Sequence, residues 1–109
     1  MESDIELKIN FRFLELTEKQ AAALKISKLG AKFGTHFKSQ KPTGVVPLNK
    51  NNIDLISNFI KENEIPSGLT DIFISFVTEY DTRTIDIPDY VNQVVKELGS
   101  KIVVSYAIV

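Results

Sequence analysis

The chain has no cysteine, no tryptophan, one methionine and one histidine among its 109 residues. Without cysteine there is no disulfide, no iron–sulfur cluster, no thiolate zinc site and no cysteine nucleophile. No apolar run approaches the ~20 residues that a membrane helix needs. The opening Met1-Glu2-Ser3-Asp4 is acidic and lacks the basic-then-apolar layout of a secretory signal. These absences set the expectation of a cytoplasmic protein without a membrane segment. Glycine and proline are also sparse, at five and four residues, so each one marks a boundary worth placing.

What is present is ordinary in amount and uneven in arrangement. Hydrophobic residues make up 43% and charged residues 25%, close to the averages for globular domains. The length suits a single domain over 1–109 with a modest core. Net charge is −1, yet from Lys19 to Ile53 there are seven lysines and no acid. From Asp54 to Glu97 nine acids oppose Lys61, Arg83 and Lys96. Such a split fits either a basic patch facing an anionic partner or two halves of a fold that offset each other.

Hydrophobic periodicity supplies the elements. Ile5, Leu7, Ile9, Phe11 and Phe13 alternate with polar residues, the pattern of a strand with one buried face. Thr17-Glu18-Lys19-Gln20 has capping-box spacing, with Leu16 placed for a staple. The helix it opens, through Ala21, Leu24 and Ile26, is expected to end near Leu29 with Gly30 as a left-handed cap. A strand over Ala31 to Phe37 follows, with Phe33, Thr35 and Phe37 on the core side. Ser39 to Gly44 reads as a turn or loop, and Val45-Val46 as a short edge strand that Pro47 stops. Asn51 or Asn52 is expected to cap a second helix whose broad apolar stripe is formed by Ile53, Ile56 and Ile60 with Leu55 and Phe59. Ile72 to Val77 is apolar at both parities, as an interior strand is. Asp86 to Asp89 repeats the capping pattern, Ile87, Val91, Val94, Val95 and Leu98 follow at helical spacing, and Gly99 closes the helix. The β-branched run Ile102 to Val109 reads as a central strand.

Leu29-Gly30-Ala31-Lys32 is echoed by Leu98-Gly99-Ser100-Lys101, each closing a helix and opening a strand. The expected fold is therefore α+β: a ferredoxin-like sandwich of two pseudo-duplicated βαβ units, about 4–38 and 70–109. The sheet is mostly antiparallel with helices on one face, and the segment 39–69 links the halves with an inserted helix.

Residues able to do chemistry are few. His36 shares a strand face with Lys32 and Lys38, and its local sequence contains no carboxylate to orient it. Catalysis would need His36 beside Glu79 or Asp81 in space. Lys32, His36, Lys38 and Lys41 form a candidate anion-binding set, although the Lys38–Gly44 stretch lacks phosphate-loop spacing. Glu79, Tyr80, Asp81 and Arg83 lie in the densest polar segment, between a strand and a helix. An aromatic anchor among charges suits partner recognition. Its acids match no calcium loop, and no metal or other cofactor is expected. Phe33 and Phe37 in a basic stretch evoke a base-stacking platform, but the stretch lacks the glycine-aromatic signature of RNA-recognition motifs. That and a pI near 5.8 argue against a nucleic-acid partner.

The Leu29-Gly30 pair, the Lys-Pro loop after the second strand, Glu79-Tyr80-Asp81 and the closing Leu98-Gly99 plus strand resemble a family of small bacterial proteins. That family is catalogued as a domain of unknown function, number 4279; the chain departs from it in lacking tryptophan. The resemblance implies a binding protein of the immunity type, one that neutralises a toxin by occlusion, and transfers no catalytic residue. The expectation is a non-enzymatic intracellular protein-binding module that uses the 79–89 segment or a partly apolar open sheet face around Val103 and Ser105. The alternative is a small-molecule-binding regulatory domain of ferredoxin-like type, whose exposed edges and apolar C-terminal strand leave homodimer formation open.

Overall fold

A computed structural model of the protein describes residues 7–78 and 86–108. The chain runs β1 (Lys8–Phe13), α1 (Glu18–Ile26), β2 (Lys32–Thr35), β3 (Pro42–Pro47), α2 (Ile53–Glu62), a 3₁₀ turn (Ser67–Leu69), β4 (Thr70–Thr78), α3 (Asp89–Leu98) and β5 (Lys101–Ile108). The result is an α+β fold with one five-stranded open sheet in the order β2-β3-β1-β4-β5. All neighbours are antiparallel except β4 and β5, which are parallel. None of the described helices is long and apolar enough to cross a membrane.

Strand alternation puts the core on one side. Phe11 and Phe13 of β1, Val46 of β3, and Ile72 and Ile74 of β4 are buried and share a face. They join Leu24 of α1, Ile56 and Phe59 of α2, and Val91 and Val94 of α3 in one cluster. The Phe13 ring meets Phe11 at 5.2 Å and Phe59 at 5.6 Å, both edge to face, a geometry favoured by the ring quadrupole. Gly44 lies beside Phe13 on β3, where a Cβ would stand 2.6 Å from Leu24 Cδ2. Its missing side chain is what lets α1 lie against the sheet.

The helix ends show where local signals held. Thr17 forms the full capping box with Gln20. Gly99 closes α3 in the left-handed conformation, its N–H donating to the Val95 carbonyl. Other ends correct the expectation. α1 stops at Ile26, three residues early, because the Ser27 hydroxyl and N–H both turn back to the Leu24 carbonyl; Ile26 itself is exposed. Asn52 precedes α2 without a side-chain cap and instead braces the loop, accepting from Asn49 N and donating to the Pro47 carbonyl. Pro88, not Asp86, precedes α3.

Three corrections concern the sheet. Val45-Val46 belongs to an interior strand that starts at Pro42, within the expected loop, and pairs with β2 and β1. Pro42 and Pro47 are accommodated because they stand at its two ends. α2 is an integral crossover from β3 to β4 around β1, not an insertion between halves. Among the described residues β5 is an edge strand, not a central one. The two echoed segments also sit differently: β1 and β2 are separated by β3, whereas β4 and β5 are adjacent.

Candidate functional site on the open sheet face

Because the core strand residues and all three helices share one side, the other parity of every strand forms an open face. Cross-strand registers arrange it in rows. The first runs Lys32, Val45, Arg12, Asp71, Lys101 across all five strands. The second runs Pro47, Asn10, Phe73, Val103, and the third Lys8, Ser75, Ser105. Val45, Phe73 and Val103 are half-buried, while Lys8, Lys32 and Lys101 are exposed. The face is thus a shallow apolar strip between cations, and Val103 and Ser105 lie on it as expected.

Its one described carboxylate is already held. Arg12 Nε donates to Asp71 Oδ1 at 2.7 Å and Nη2 donates to Oδ2 at 2.5 Å. The Arg12 guanidinium carbon also sits 4.1 Å from the Phe73 ring centroid. This fork geometry suits a guanidinium and not an ammonium. Asp71 is 1% exposed, so its charge is answered within the protein. Lys8, Lys32 and Lys101 remain turned outward, giving the surface a positive rim. Arg12 and Asp71 escaped the sequence reading; the available signal was a lone acid opening the apolar Ile72–Val77 run, opposite the polar face of the first strand.

The expected anion set divides. Lys32 stands in the first row, whereas His36, Lys38 and Lys41 belong to the β2–β3 connection, about 13 Å further along at ~3.3 Å per residue. His36 organises that turn: its Nδ1 accepts from the N–H groups of Lys38 and Ser39 at 3.2 and 3.3 Å. Its backbone N–H donates to the Lys41 carbonyl and its carbonyl accepts from Gln40 N–H. The Nδ1 atom is therefore engaged by the turn itself. The Phe37 ring stacks on His36 at 5.4 Å and is 78% exposed, and Phe33 is also exposed. These two aromatics were expected in the core. They fall outside it because β2, at the edge of the described sheet, ends at Thr35 and leaves Phe37 in the turn, while Phe33 faces the exposed Lys25 of α1.

A depression of about 370 Å³ lies between α1 and the β2–β3 hairpin, lined by Glu18, Lys25, Phe33 and Gln40 among others. The Lys25 ammonium stands 5.6 Å from the Phe33 ring centroid, so the aromatic wall already faces a cation of the chain itself. Glu79, Tyr80, Asp81 and Arg83 lie outside the described residues.

Compared with protein-family models, with curated proteins and with solved structures, the chain matches none of them.

Proposed function

We propose that the chain is a non-enzymatic protein-binding module, acting inside the cell, whose open sheet face docks a partner presenting carboxylates. The observation that carries this reading is the row Lys32–Val45–Arg12–Asp71–Lys101. Its only acid is neutralised at short range, and its outer lysines flank the apolar strip of Phe73 and Val103. Apolar centres with charged rims are the usual anatomy of protein interfaces, and rim charges set encounter rate and partner choice. Under the resemblance to small immunity-type proteins, the face would neutralise a toxin by covering it.

The fold reading that accompanies this is ferredoxin-like. Support for it comes from the order β1-α1-β2-β3-α2-β4, with β3 between β1 and β2 and β1 between β3 and β4, which resembles two interleaved split βαβ units. On this reading the equivalent halves are β1-α1-β2 and β3-α2-β4, and α3 with β5 extends the sheet. The echo of Leu29-Gly30 in Leu98-Gly99 then reflects a shared helix-to-strand punctuation rather than the duplicated unit.

The test uses the full chain immobilised as bait in lysate of the source organism, with salt varied from low to high. Lys32→Glu/Lys101→Glu and Tyr80→Ala/Asp81→Ala variants run in parallel. A stoichiometric partner held by the wild type, weakened by salt and lost from the lysine variant supports docking on the open face. A partner lost only from the Tyr80/Asp81 variant moves the site to the 79–89 segment. No partner under any condition overturns the reading.

A further inference from the structure

β5 has the composition of a strand buried on both faces and the position of a strand at an edge. Among the described residues no strand pairs with its outer side. It is eight residues long, contains neither proline nor glycine, and carries one charge, Lys101, at its first position. Natural edge strands are usually short, bulged, or interrupted by charge or proline, because an open ladder recruits another strand. β5 has none of these protections along Ile102–Ile108. On its helix-side face Ile102, Val104 and Tyr106 are 37%, 51% and 61% exposed, and the Tyr106 ring stacks on Phe76 at 5.5 Å. The tyrosine is thus held in place at the surface.

We infer that the outer edge of β5 pairs antiparallel with β5 of a second copy of this chain, about a two-fold axis that passes through Val104 perpendicular to the sheet. Three observations select a second copy as the occupant. The exposed apolar residues are symmetric about Val104, with Ile102 two positions before it and Tyr106 two after. An antiparallel pair centred there sets Val104 against Val104 and Ile102 against Tyr106 twice, all on the same face, since directly opposed residues share a face. The charge pattern is self-compatible in this direction: each Lys101 lies opposite Ala107, and the two lysines are about 20 Å apart at ~3.3 Å per residue. The pairing also closes, because a two-fold contact uses the same edge on both partners and leaves no free copy of it. One ten-stranded sheet results, with both helix layers on one side. This inference rests on the edge and is independent of the reading of the open face.

The experiment uses the full-length protein, whose lack of cysteine gives a clean background for cross-linking. Sedimentation over a concentration series is expected to show a dimer, twice 12.2 kDa. Val104→Lys, which brings two ammonium groups together on the axis, is expected to raise the dimer dissociation constant at least ~100-fold, since juxtaposed like charges cost several kcal/mol. Circular dichroism should show that variant still folded. In separate single-cysteine variants under mild oxidation, Val104→Cys is expected to give a disulfide-linked dimer and Lys101→Cys to form no disulfide. A wild type that stays monomeric at every concentration, with no cross-link at 104, overturns the pairing. Faster cross-linking of Ser105→Cys than of Val104→Cys overturns the register.

Discussion

Arg12 on β1 reaches its neighbour on β4 and holds both carboxylate oxygens of Asp71, at 2.7 and 2.5 Å, on the sheet face opposite the described helices. The pair is asymmetric: the Asp71 side chain is 2% exposed and the Arg12 side chain 30%. Arg12 and its stacked neighbour Phe73 therefore act as the lid over the carboxylate. Burying a charge is tolerable only with a partner of this quality.

That asymmetry sets unequal costs for breaking the pair. Arg12→Met leaves Asp71 buried without a counter-charge and is expected to cost about 3–5 kcal/mol. Asp71→Asn removes the charge that needed answering, and the half-exposed guanidinium can turn to water. Its expected cost is about 1–3 kcal/mol, that of lost charged hydrogen bonds. Arg12→Met combined with Asp71→Leu should recover most of the loss. Urea unfolding midpoints of the four proteins check the ranking, and equal losses for the two single variants would refute the lid.

The difference between this pair and the rest of the fold is also the difference between what the residues announce and what they conceal. Alternation over Ile9–Phe13, the Thr17 capping box and the Gly99 cap are local patterns with their expected places in the structure, and of the α2 stripe Ile53, Ile56 and Phe59 are buried while Leu55 is exposed. Burial and neighbour identity are not local. Nothing within Ile102–Ile108 states that no described strand pairs with its outer side, and nothing near Phe33 states that β2 ends at Thr35 and leaves Phe37 in the turn. The Arg12–Asp71 contact spans 59 positions. Of the candidate site, the partly apolar character of the open face around Val103 and Ser105 is legible in the sequence; the row that aligns its cations needs the registers.

Gly44 tests the packing of α1 on the sheet. A Cβ there meets Leu24 Cδ2 at 2.6 Å, with Leu16 and Phe13 at 3.6 Å, and Leu24 and Phe13 are themselves buried. Gly44→Ala is expected to destabilise by about 1–3 kcal/mol, the range for overpacking. Shortening the obstructing side chain with Leu24→Val should make the alanine less costly than it is alone. Thermal melts of the two single variants and the double form the cycle, and strict additivity would show that the contact does not limit the packing.

A second buried polar contact joins the starts of the two parallel strands. The Thr70 hydroxyl donates to the Ser67 carbonyl at 2.8 Å and lies 2.6 Å from the Ser100 hydroxyl, which supplies the proton between them. Both residues are buried. Thr70→Val strands two partners at once and is expected to cost about 2–3 kcal/mol, whereas Ser100→Ala leaves Thr70 still bonded to Ser67 and should cost about 1 kcal/mol. Denaturant unfolding distinguishes them. A Ser100→Ala loss as large as that of Thr70→Val would mean that the link to β5, not the turn before β4, is the stronger of the two bonds.

Charge reversal on the open face carries its own structural prediction, needed before any binding result can be interpreted. Lys32 stands opposite Val45, so Lys32→Glu introduces no like-charged cross-strand neighbour. Lys101 stands opposite Asp71, whose carboxylate depends on Arg12, and Lys101→Glu sets a second acid directly beside it. Like charges in that position are destabilising by roughly 0.2–1 kcal/mol, while an exposed surface change elsewhere usually stays within about 0.5 kcal/mol. Lys101→Glu is therefore expected to melt below Lys32→Glu, and the gap should narrow in high salt as the repulsion is screened. If the two variants melt together at low salt, the row does not couple electrostatically across β4 and β5, and a shared binding defect would then have to arise from contact with the partner alone.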